Sequence, residues 1–554
     1  MQTQDSDLVR NIMSGLSQAR TWRGTFETHW NDVARVVLPH MADSFHPDNA
    51  RTPGQERGLE MYDTTANTAL YRYAAAMNSM LTPTGSTWHG IRIADPKLNK
   101  LRSVRLWCEQ VTEIMFHYRN AARSGYQAQQ YDAYVSQGAF GTSAMYVDAL
   151  TDPRTGRPDG LRYRNIHIGE VYVSENHQGI VDKVWRRWRT SARNVASQWF
   201  SQNPEQMPDQ IRAALEKNPE QMFYVVHHIC PRESWSPYPL TGKAMQFGSY
   251  YVLEQGNILL DESGYRSWPM PVARINTAPG EHYGRGPAMQ VLPSIKGLNS
   301  QKKTILKQAH RAVDPVLLAH DDGILEGVNL APGAVNYGGM NADGRKLVDV
   351  LPTGNISIGM ETMQLEQAAI NDGFFVTLFQ ILVDSPQMTA TEVLERAREK
   401  GALLAPSFGR YQTEGLGPMI AREYEILFNQ GKIPRPPQEL LDANATWEVE
   451  YDAPLNRAIK SEAAAGAQRT VQFVSEIANV TQDPSVFDVF DLDYMIRDIA
   501  HVQSVPELYL ADPAAIQAKR QGRQQAQEQQ QLVDAAPAIA STLKAVGAGQ
   551  VTGG

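Results

Sequence analysis

Two helical patterns of nearly equal length, separated by a segment with few helix signals, constrain the fold most strongly. They cover residues 287–311 and 361–383. At about 1.5 Å per residue, each helix would span roughly 35 Å. The intervening residues 312–360 are rich in Gly, Pro and Asn, and they contain two strand-like pieces, Pro315–Ala319 and Lys346–Leu351. We therefore predict an antiparallel helix pair that carries a small β-containing insert at one end.

Periodicity elsewhere predicts further helices and short strands. Apolar residues recur at helical spacing in residues 8–38 and 62–80. The region from about 85 to 280 alternates between turn signals and short apolar runs, which favours helices mixed with antiparallel strands. Strands are predicted at 144–147, 170–173, 183–185 and 223–226.

A long helix is also predicted after residue 388. Thr389 and Glu392 have the spacing of a capping box at its start. Residues 455–530 are again helix-rich and end in a glutamine-rich tract, and the final residues 547–554 are predicted to be mobile. Helix-breaking residues should kink or interrupt the long helix before Gly431 at Pro406, Gly415 and Pro418.

Composition excludes several classes of protein. The 554 residues suffice for about three to five compact units. A content of 42% hydrophobic and 20% charged residues is ordinary globular usage. No segment approaches the ~18–20 consecutive apolar residues of a membrane-spanning helix, and the N-terminus lacks the apolar core of a secretory signal. Cys108 and Cys230 lie far apart without zinc-ligand spacing, so we expect no disulfides. Together these features predict a soluble, folded protein that is made in the cytoplasm.

No segment carries a convincing catalytic, cofactor or metal motif. The Thr-Gly-Lys-Ala sequence at 241–244 lacks the first glycine of a phosphate loop and the hydroxyl that would hold magnesium. Gly284-Arg285-Gly286 lacks the third glycine of a dinucleotide fingerprint and is interpreted as the turn before a helix. His227 and His228 are neighbours in a predicted strand and point to opposite faces, while Asp321-Asp322 is interpreted as a solvated turn. We predict a non-enzymatic protein without cofactor or metal.

Five short blocks occur in order along residues 5–430. They are Asp63-Thr64-Thr65 with Leu81-Thr82-Pro83 and Trp88; 138–147; Gly169-Glu170-Val171-Tyr172 with Gly179; 283–287 with Leu298-Asn299; and 388–393. Together they resemble the head-to-tail connector (portal) family of short-tailed, double-stranded-DNA bacteriophages. Residues 431–554 match that family only in being helical.

The resemblance implies an α+β, helix-rich portal fold that assembles as a ring. Such a fold has a wing, a stem helix pair, a β-containing clip insert and a helical C-terminal crown. The implied regions are 1–285 for the wing, 286–311 and 361–383 for the stem helices, 312–360 for the clip, 384–389 for a channel loop, 390–430 for a long kinked wing helix, 431–530 for the remaining wing and crown, and 531–554 for a flexible tail.

The resemblance also implies a dodecameric ring at one vertex of the virion capsid, through which double-stranded DNA is packaged and later ejected. Its implied partners are the large terminase subunit, the tail adaptor protein, and the major capsid and scaffold proteins, with no membrane partner. Twelve inner helices at ~9 Å spacing, each about 10 Å thick, leave an opening of roughly 24 Å. The formal net charge of −8 disfavours a protein that grips nucleic acid by neutralising phosphates, so DNA, if it is a partner, must slide past.

Two groups of residues are candidates for DNA contact. The basic stripe falls within an arc of about 80° on a 3.6-residue helix, and it consists of Lys296, Lys303, Lys307 and Arg311. Its alternative role is ion pairing across subunits with Glu361, Glu366 or Asp372. The resemblance implies that a loop projects into the channel; a plain helix connection is the alternative. That loop consists of Asp384, Ser385, Pro386, Gln387, Met388 and Thr389.

Two other classes of function stay open. A different virion component is one, although a scaffold would be more uniformly helical and charged and a capsid protein would lack the paired helices. A packaging ATPase or nuclease is the other, and the missing phosphate loop argues against it.

Overall fold

The protein is seen in a computed structural model that describes most of the chain. The described residues are 2–46, 52, 54–152, 154–236, 241–319, 328–340, 343–352, 356–383, 409–443, 445–452 and shorter stretches within 466–529. The chain divides into two compact units. Unit 1 comprises residues 1–88, 115–433 and 453–455, and unit 2 comprises 89–114, 434–452 and 456–554. Helices and small antiparallel sheets build the described part, which confirms the α+β class.

Helices are present at both N-terminal positions that periodicity predicts. The second of them starts at Thr65, because the Asp63 carboxylate accepts a hydrogen bond from the Thr65 backbone N–H at 2.8 Å. The helices are α1 (Gln2–Val37), α2 (Thr65–Leu81), α3 (Arg102–Arg119), α4 (Tyr126–Phe140), α5 (Ala192–Trp199), α6 (Asp209–Lys217), α7 (Pro287–Gln290), α8 (Leu292–Val313), α9 (Ile356–Gly373), α10 (Val376–Val383), α11 (Gly417–Asn429), α12 (Gln438–Asp442) and α13 (Leu492–Val502).

All strand pairs in the described part are antiparallel, and the four predicted strands are confirmed within β2, β4, β5 and β6. The sheet orders are β1-β12, β10-β11, β3-β2-β9 and β4-β5-β6-β7-β8. The strands are β1 (His89–Ile93), β2 (Thr142–Thr151), β3 (Pro158–Ile166), β4 (Val171–Glu175), β5 (Val181–Ser191), β6 (Met222–Pro231), β7 (Phe247–Leu253), β8 (Ile258–Tyr265), β9 (Val272–Arg274), β10 (Leu317–Ala319), β11 (Val348–Val350) and β12 (Trp447–Tyr451).

The five-stranded sheet of unit 1 is covered on both faces. Side chains alternate between the faces along each strand, so each face can bury its own set of apolar residues. One set packs against α1, whose contacts Val9, Ile12, Leu16 and Ala19 recur at three- or four-residue steps. The other set packs against α5 and α6 and includes Phe223, Val225 and Leu253.

The predicted helix pair is present, with a second helix that differs from the prediction. β10 and β11 pair between the helices, as predicted for the insert. α9 begins at Ile356, inside the predicted insert, and ends at Gly373. α10 begins only after Phe375, whose φ of 59° lies in the left-handed region. The single helix predicted for residues 361–383 is therefore interrupted.

Two glycines allow close approach of the helices. A Cβ at Gly359, near the start of α9, would lie 3.2 Å from the Ile305 side chain in α8. A Cβ at Gly373, the end of α9, would lie 2.2 Å from Cγ1 of Val291, just before α8. The start of α9 thus meets the second half of α8 and its end meets the beginning, so the helices run antiparallel as predicted.

The long helix predicted after residue 388 is described from residue 409 onward. Residues 412–416 form a π-helical turn, and α11 follows without a break. Gly415 therefore lies in a π-bulge instead of a chain break. Pro418 is the second residue of α11, and the helical backbone continues through it from the π-helical turn, so the predicted break at Pro418 is absent. Gly431, with a φ of 68°, follows the helix end, whereas Thr389, Glu392 and Pro406 lie outside the described residues.

Unit 2 contains a small sheet and short helices. β1 pairs with β12 along five residues of each strand, from His89 opposite Tyr451 to Ile93 opposite Trp447. The Trp107 indole N–H donates to the Pro434 carbonyl at 3.0 Å. Segments distant in sequence thus build one compact unit.

Candidate functional site

The basic stripe lies on α8, and its members have different surroundings. Nζ of Lys296 is 2.8 Å from Oδ2 of Asp32 in α1. The Lys303 ammonium lies 5.3 Å from the centroid of the Tyr62 ring, within the range of a cation–π contact. Lys307 and Arg311 are exposed and form no hydrogen bond or ion pair with a described residue. The intrachain pair of Lys296 was not predicted by either interpretation of the stripe.

A buried polar joint, which sequence reasoning missed, attaches both helices of the pair to the segment before α2. The side-chain oxygen of Asn299 in α8 accepts hydrogen bonds from the backbone N–H groups of Tyr62 and Asp63 at 2.9 and 3.0 Å. Gln367 of α9 donates to the Asp63 carboxylate at 3.2 Å. Burial alone would raise the pKa of Asp63, but hydrogen bonds from Thr65 and Gln367 lower it below its usual value. The sequence signal was the pair of blocks Asp63-Thr64-Thr65 and Leu298-Asn299.

Glycines of two other blocks pack against each other. Gly141 follows α4 with a φ of 73°, and a Cβ there would lie 2.4 Å from Gly284 O and Gly286 N. The Gly284 N–H also donates to the Thr142 hydroxyl at 2.9 Å. Backbone can approach this closely only where side chains are absent. The Gly-Arg-Gly turn therefore precedes a helix, as predicted, and its backbone also packs closely against the turn at Gly141.

The block at 169–172 surrounds a buried arginine that the sequence analysis did not single out. The guanidinium of Arg23 is fully buried and lies 3.6 Å from the centroid of the Tyr172 ring. Its Nη1 donates at 3.0 to 3.2 Å to the main-chain carbonyls of Ile168, Gly169 and Val171. The block thus supplies carbonyl acceptors that satisfy a buried charge.

The helix pair α8–α9 and the hairpin formed by β10 and β11 between them expose many large apolar side chains. Thirteen of the 28 exposed large hydrophobic side chains in the described part lie between residues 306 and 365, so their exposure is concentrated in this region. We call the nine on the helices and around the hairpin the helix-pair apolar surface. They are Leu306, Val313, Val316, Leu318, Val350, Leu351, Ile358, Met360 and Leu365.

The remaining four lie in residues 328–340, which we call the insert loop. Asn336 closes this loop, because its side-chain oxygen accepts the Asn329 N–H at 2.7 Å and its amide donates to the Asn329 carbonyl at 3.0 Å. The loop therefore presents its apolar side chains from a hydrogen-bonded turn. These side chains are Leu330, Val335, Tyr337 and Met340.

The other residues that the sequence analysis considered either have partners within the fold or lie outside the described residues. Nε2 of His227 lies 2.9 Å from the Ser249 hydroxyl, and Nδ1 of His228 lies 3.1 Å from the Val184 carbonyl, so the two rings have separate partners. Burial lowers the pKa of both histidines, that of His228 to about 4. Gly242–Ala244 forms a short 3-10 turn. The candidate channel loop Asp384–Thr389 and the Asp321-Asp322 pair lie outside the described residues.

The described residues hold neither a metal-ligand cluster nor a membrane-spanning helix. No group of three or more His, Cys, Asp or Glu side chains there could hold a metal ion. Likewise, none of the helices in that part of the chain is long and apolar enough to cross a membrane.

Comparison with known proteins gives consistent matches over nearly the whole chain. The chain is 26% identical over 559 residues to a protein of Bordetella phage BPP-1 named "Probable portal protein", covering 97% of this chain and 95% of that protein. It is 25% identical over 520 residues to the portal protein of Salmonella phage epsilon15, covering 92% and 90% of the two chains. A family model described as "Bacteriophage head to tail connecting protein" matches residues 9–510. The resemblance read from the five blocks is confirmed, and the chain belongs to the bacteriophage head-to-tail connecting protein family.

Proposed function

We propose that this chain is the portal subunit of a bacteriophage and that it forms a dodecameric ring around a channel for double-stranded DNA at one vertex of the virion. The observation that carries the proposal is the helix-pair apolar surface. Family membership and the portal names of two relatives support it. The number of subunits follows from the resemblance of the sequence blocks.

The helix-pair apolar surface fits a contact between neighbouring subunits. Val313 and Leu365 are 87% and 72% exposed in the single chain, and large exposed apolar patches usually mark protein interfaces. A ring needs a heterologous contact, in which two different patches meet and the rotation closes. An antiparallel helix pair offers two flanks for such a contact. In the ring, these side chains are buried against the next subunit.

DNA passes through this ring without being held tightly. Lys307 and Arg311 keep their charges exposed on α8, while the whole chain has a formal net charge of −8. A few cations per subunit in a mostly acidic protein attract phosphates weakly and do not arrest a sliding duplex. The role of the loop Asp384–Thr389 in the channel is part of the same proposal.

The insert, residues 312–360, binds the proteins that act during DNA packaging and tail attachment. The insert loop presents Val335 and Tyr337 at 72% and 89% exposure from a hydrogen-bonded turn, as expected of a docking surface. We assign it to the large terminase subunit during packaging and to the tail adaptor protein afterwards. Major capsid and scaffold proteins contact the rest of the ring. The role of the chain is structural, and catalysis belongs to its partners.

Ring assembly by a charged variant of the apolar surface tests the proposal. The double variant Val313→Asp with Leu365→Asp should fold but fail to form rings, because two carboxylates would have to be buried at each subunit contact. The matched control is Leu59→Asp with Ile180→Asp, two residues that are 79% and 57% exposed outside this surface.

Light scattering coupled to size exclusion and negative-stain microscopy measure the assembly, and circular dichroism measures folding. The control should form rings like the unmodified protein. Normal rings in the Val313 and Leu365 variant would contradict the proposed subunit contact.

A further inference from the structure

A group of arginines meets between two sheets of unit 1. Arg162 and Arg164 lie two residues apart on β3, so they share one face of the strand. Tyr146, the cross-strand neighbour of Arg164, has its ring 6.0 Å from the ring of His227. His227 is in turn the cross-strand neighbour of Arg186 on β5. The charges of Arg162 and Arg186 both act on Arg164, so the two sheets place three guanidinium groups in one region.

Arg186 is held in place and keeps one donor without an acceptor. Its Nε donates to the Glu170 carboxylate at 3.0 Å, and its guanidinium carbon lies 4.4 Å from the centroid of the Trp188 ring. The residue is 7% exposed, and its buried Nη2 has no hydrogen-bond partner among the described residues. A buried charged donor without an acceptor costs free energy, so an acceptor is expected there.

The Glu170 carboxylate, which pairs with Arg186, also acts on the charge of Arg164. Arg162 and Arg164 are exposed and form no ion pair with a described residue. Asp148, the cross-strand neighbour of Arg162, instead lies 3.7 Å from Arg422. Burial and then the nearby charge of Arg186 lower the pKa of Arg164. One carboxylate does not neutralise three guanidinium groups, so a further anion between them would reduce their repulsion.

We propose that Arg162, Arg164 and Arg186 form a phosphate-binding site that takes one phosphate group per chain. Guanidinium groups match the geometry of phosphate oxygens. A phosphate offers more acceptor oxygens than a carboxylate, and can therefore satisfy donors that converge from three side chains. The bound phosphate relieves the repulsion and holds the two sheets together. It comes either from free inorganic phosphate or from a DNA backbone.

Equilibrium dialysis with radiolabelled inorganic phosphate tests the site on the full-length assembled protein at constant ionic strength. We expect one phosphate per chain. Arg164→Gln should weaken binding about tenfold or more, as expected for the loss of a charge-assisted hydrogen bond. Arg162→Gln should weaken binding in the same direction. The matched control is Arg154→Gln, an exposed arginine in the turn between β2 and β3, which should bind like the unmodified protein.

Competition identifies the source of the phosphate and can overturn the proposal. Displacement by a short DNA duplex assigns the site to backbone phosphates, whereas undiminished binding assigns it to the free ion. Absence of phosphate binding, unchanged binding by a folded Arg164→Gln variant, or equal displacement by acetate would overturn the phosphate site. If Arg164→Gln does not fold, the exposed Arg162→Gln decides in its place.

Discussion

Arg119 and Glu423 form an ion pair in which both side chains are fully buried. Nε of Arg119 donates to both carboxylate oxygens at 3.2 Å, and the guanidinium also lies 4.8 Å from the centroid of the Trp88 ring. The Tyr163 hydroxyl donates to the same carboxylate at 2.8 Å. Removing water from two charges is costly, so the pair stabilises the fold only while both partners remain.

Breaking this pair should destabilise unit 1 strongly. Glu423→Gln leaves a buried guanidinium without its counter-charge, and we expect a loss of about 3–5 kcal/mol in the free energy of unfolding. Tyr163→Phe removes one hydrogen bond to the carboxylate but keeps both charges, and it should cost less, about 1.5–3 kcal/mol. Equilibrium denaturation followed by tryptophan fluorescence measures both. Equal losses of unfolding free energy in the two variants would contradict the prediction that the unpaired charge of Arg119 destabilises the fold.

Among the elements, the insert loop takes its shape from hydrogen bonds instead of a hydrophobic core. Its apolar side chains point to solvent, and the reciprocal hydrogen bonds between Asn329 and Asn336 define its turn. The helices that carry it are secured elsewhere, by Asn299 and Gln367 at the polar joint. The loop can therefore change without loss of the helix pair.

Deleting residues 329–343 should leave rings intact and abolish recruitment of the tail adaptor protein. Asn336→Ala should weaken adaptor binding more mildly, because the loop keeps its side chains but loses the bonds that shape it. Pull-down of purified adaptor with variant rings measures binding, and electron microscopy confirms the rings. Adaptor binding at the normal level after the deletion would move the docking site away from the insert.

At the scale of the whole molecule, the proposed ring would multiply the exposed charges of α8. Each subunit would contribute Lys303 beside Tyr62 and the exposed Lys307 and Arg311. Stacked circles of positive charge would then surround the duplex at a potential that guides it without trapping it. The alternative of ion pairing across subunits places the same residues at the subunit contact.

Charge reversal separates the two arrangements. Lys303→Glu with Lys307→Glu should give intact rings whose phage particles retain or leak DNA abnormally, since the channel would repel phosphates. The matched control, Lys183→Glu with Lys217→Glu, makes the same change in net charge at exposed residues on β5 and α6. DNA content per particle and ring formation are measured for both. Failure of ring assembly in the α8 variant alone would place the stripe at the subunit contact instead.

Helix periodicity and the short strands were readable from the sequence because each depends on neighbours within a few residues. The antiparallel pair followed from the matched lengths of two helical patterns, and the β-containing insert followed from two strand-like pieces between them. Family membership followed from the order of five blocks. The DNA contacts of the stripe and of the loop Asp384–Thr389 stay predictions.

Only the tertiary structure decided which residues meet over long separations. The break at Phe375 depends on a backbone conformation that periodicity does not encode. The contact of Gly141 with Gly284 and the Asp32 partner of Lys296 join segments more than a hundred residues apart. The convergence of Arg164 and Arg186 was equally invisible, because the side chains of different sheets approach one another only after both sheets have formed and packed. Local sequence determined the elements of this protein, and packing determined where their charges came to lie.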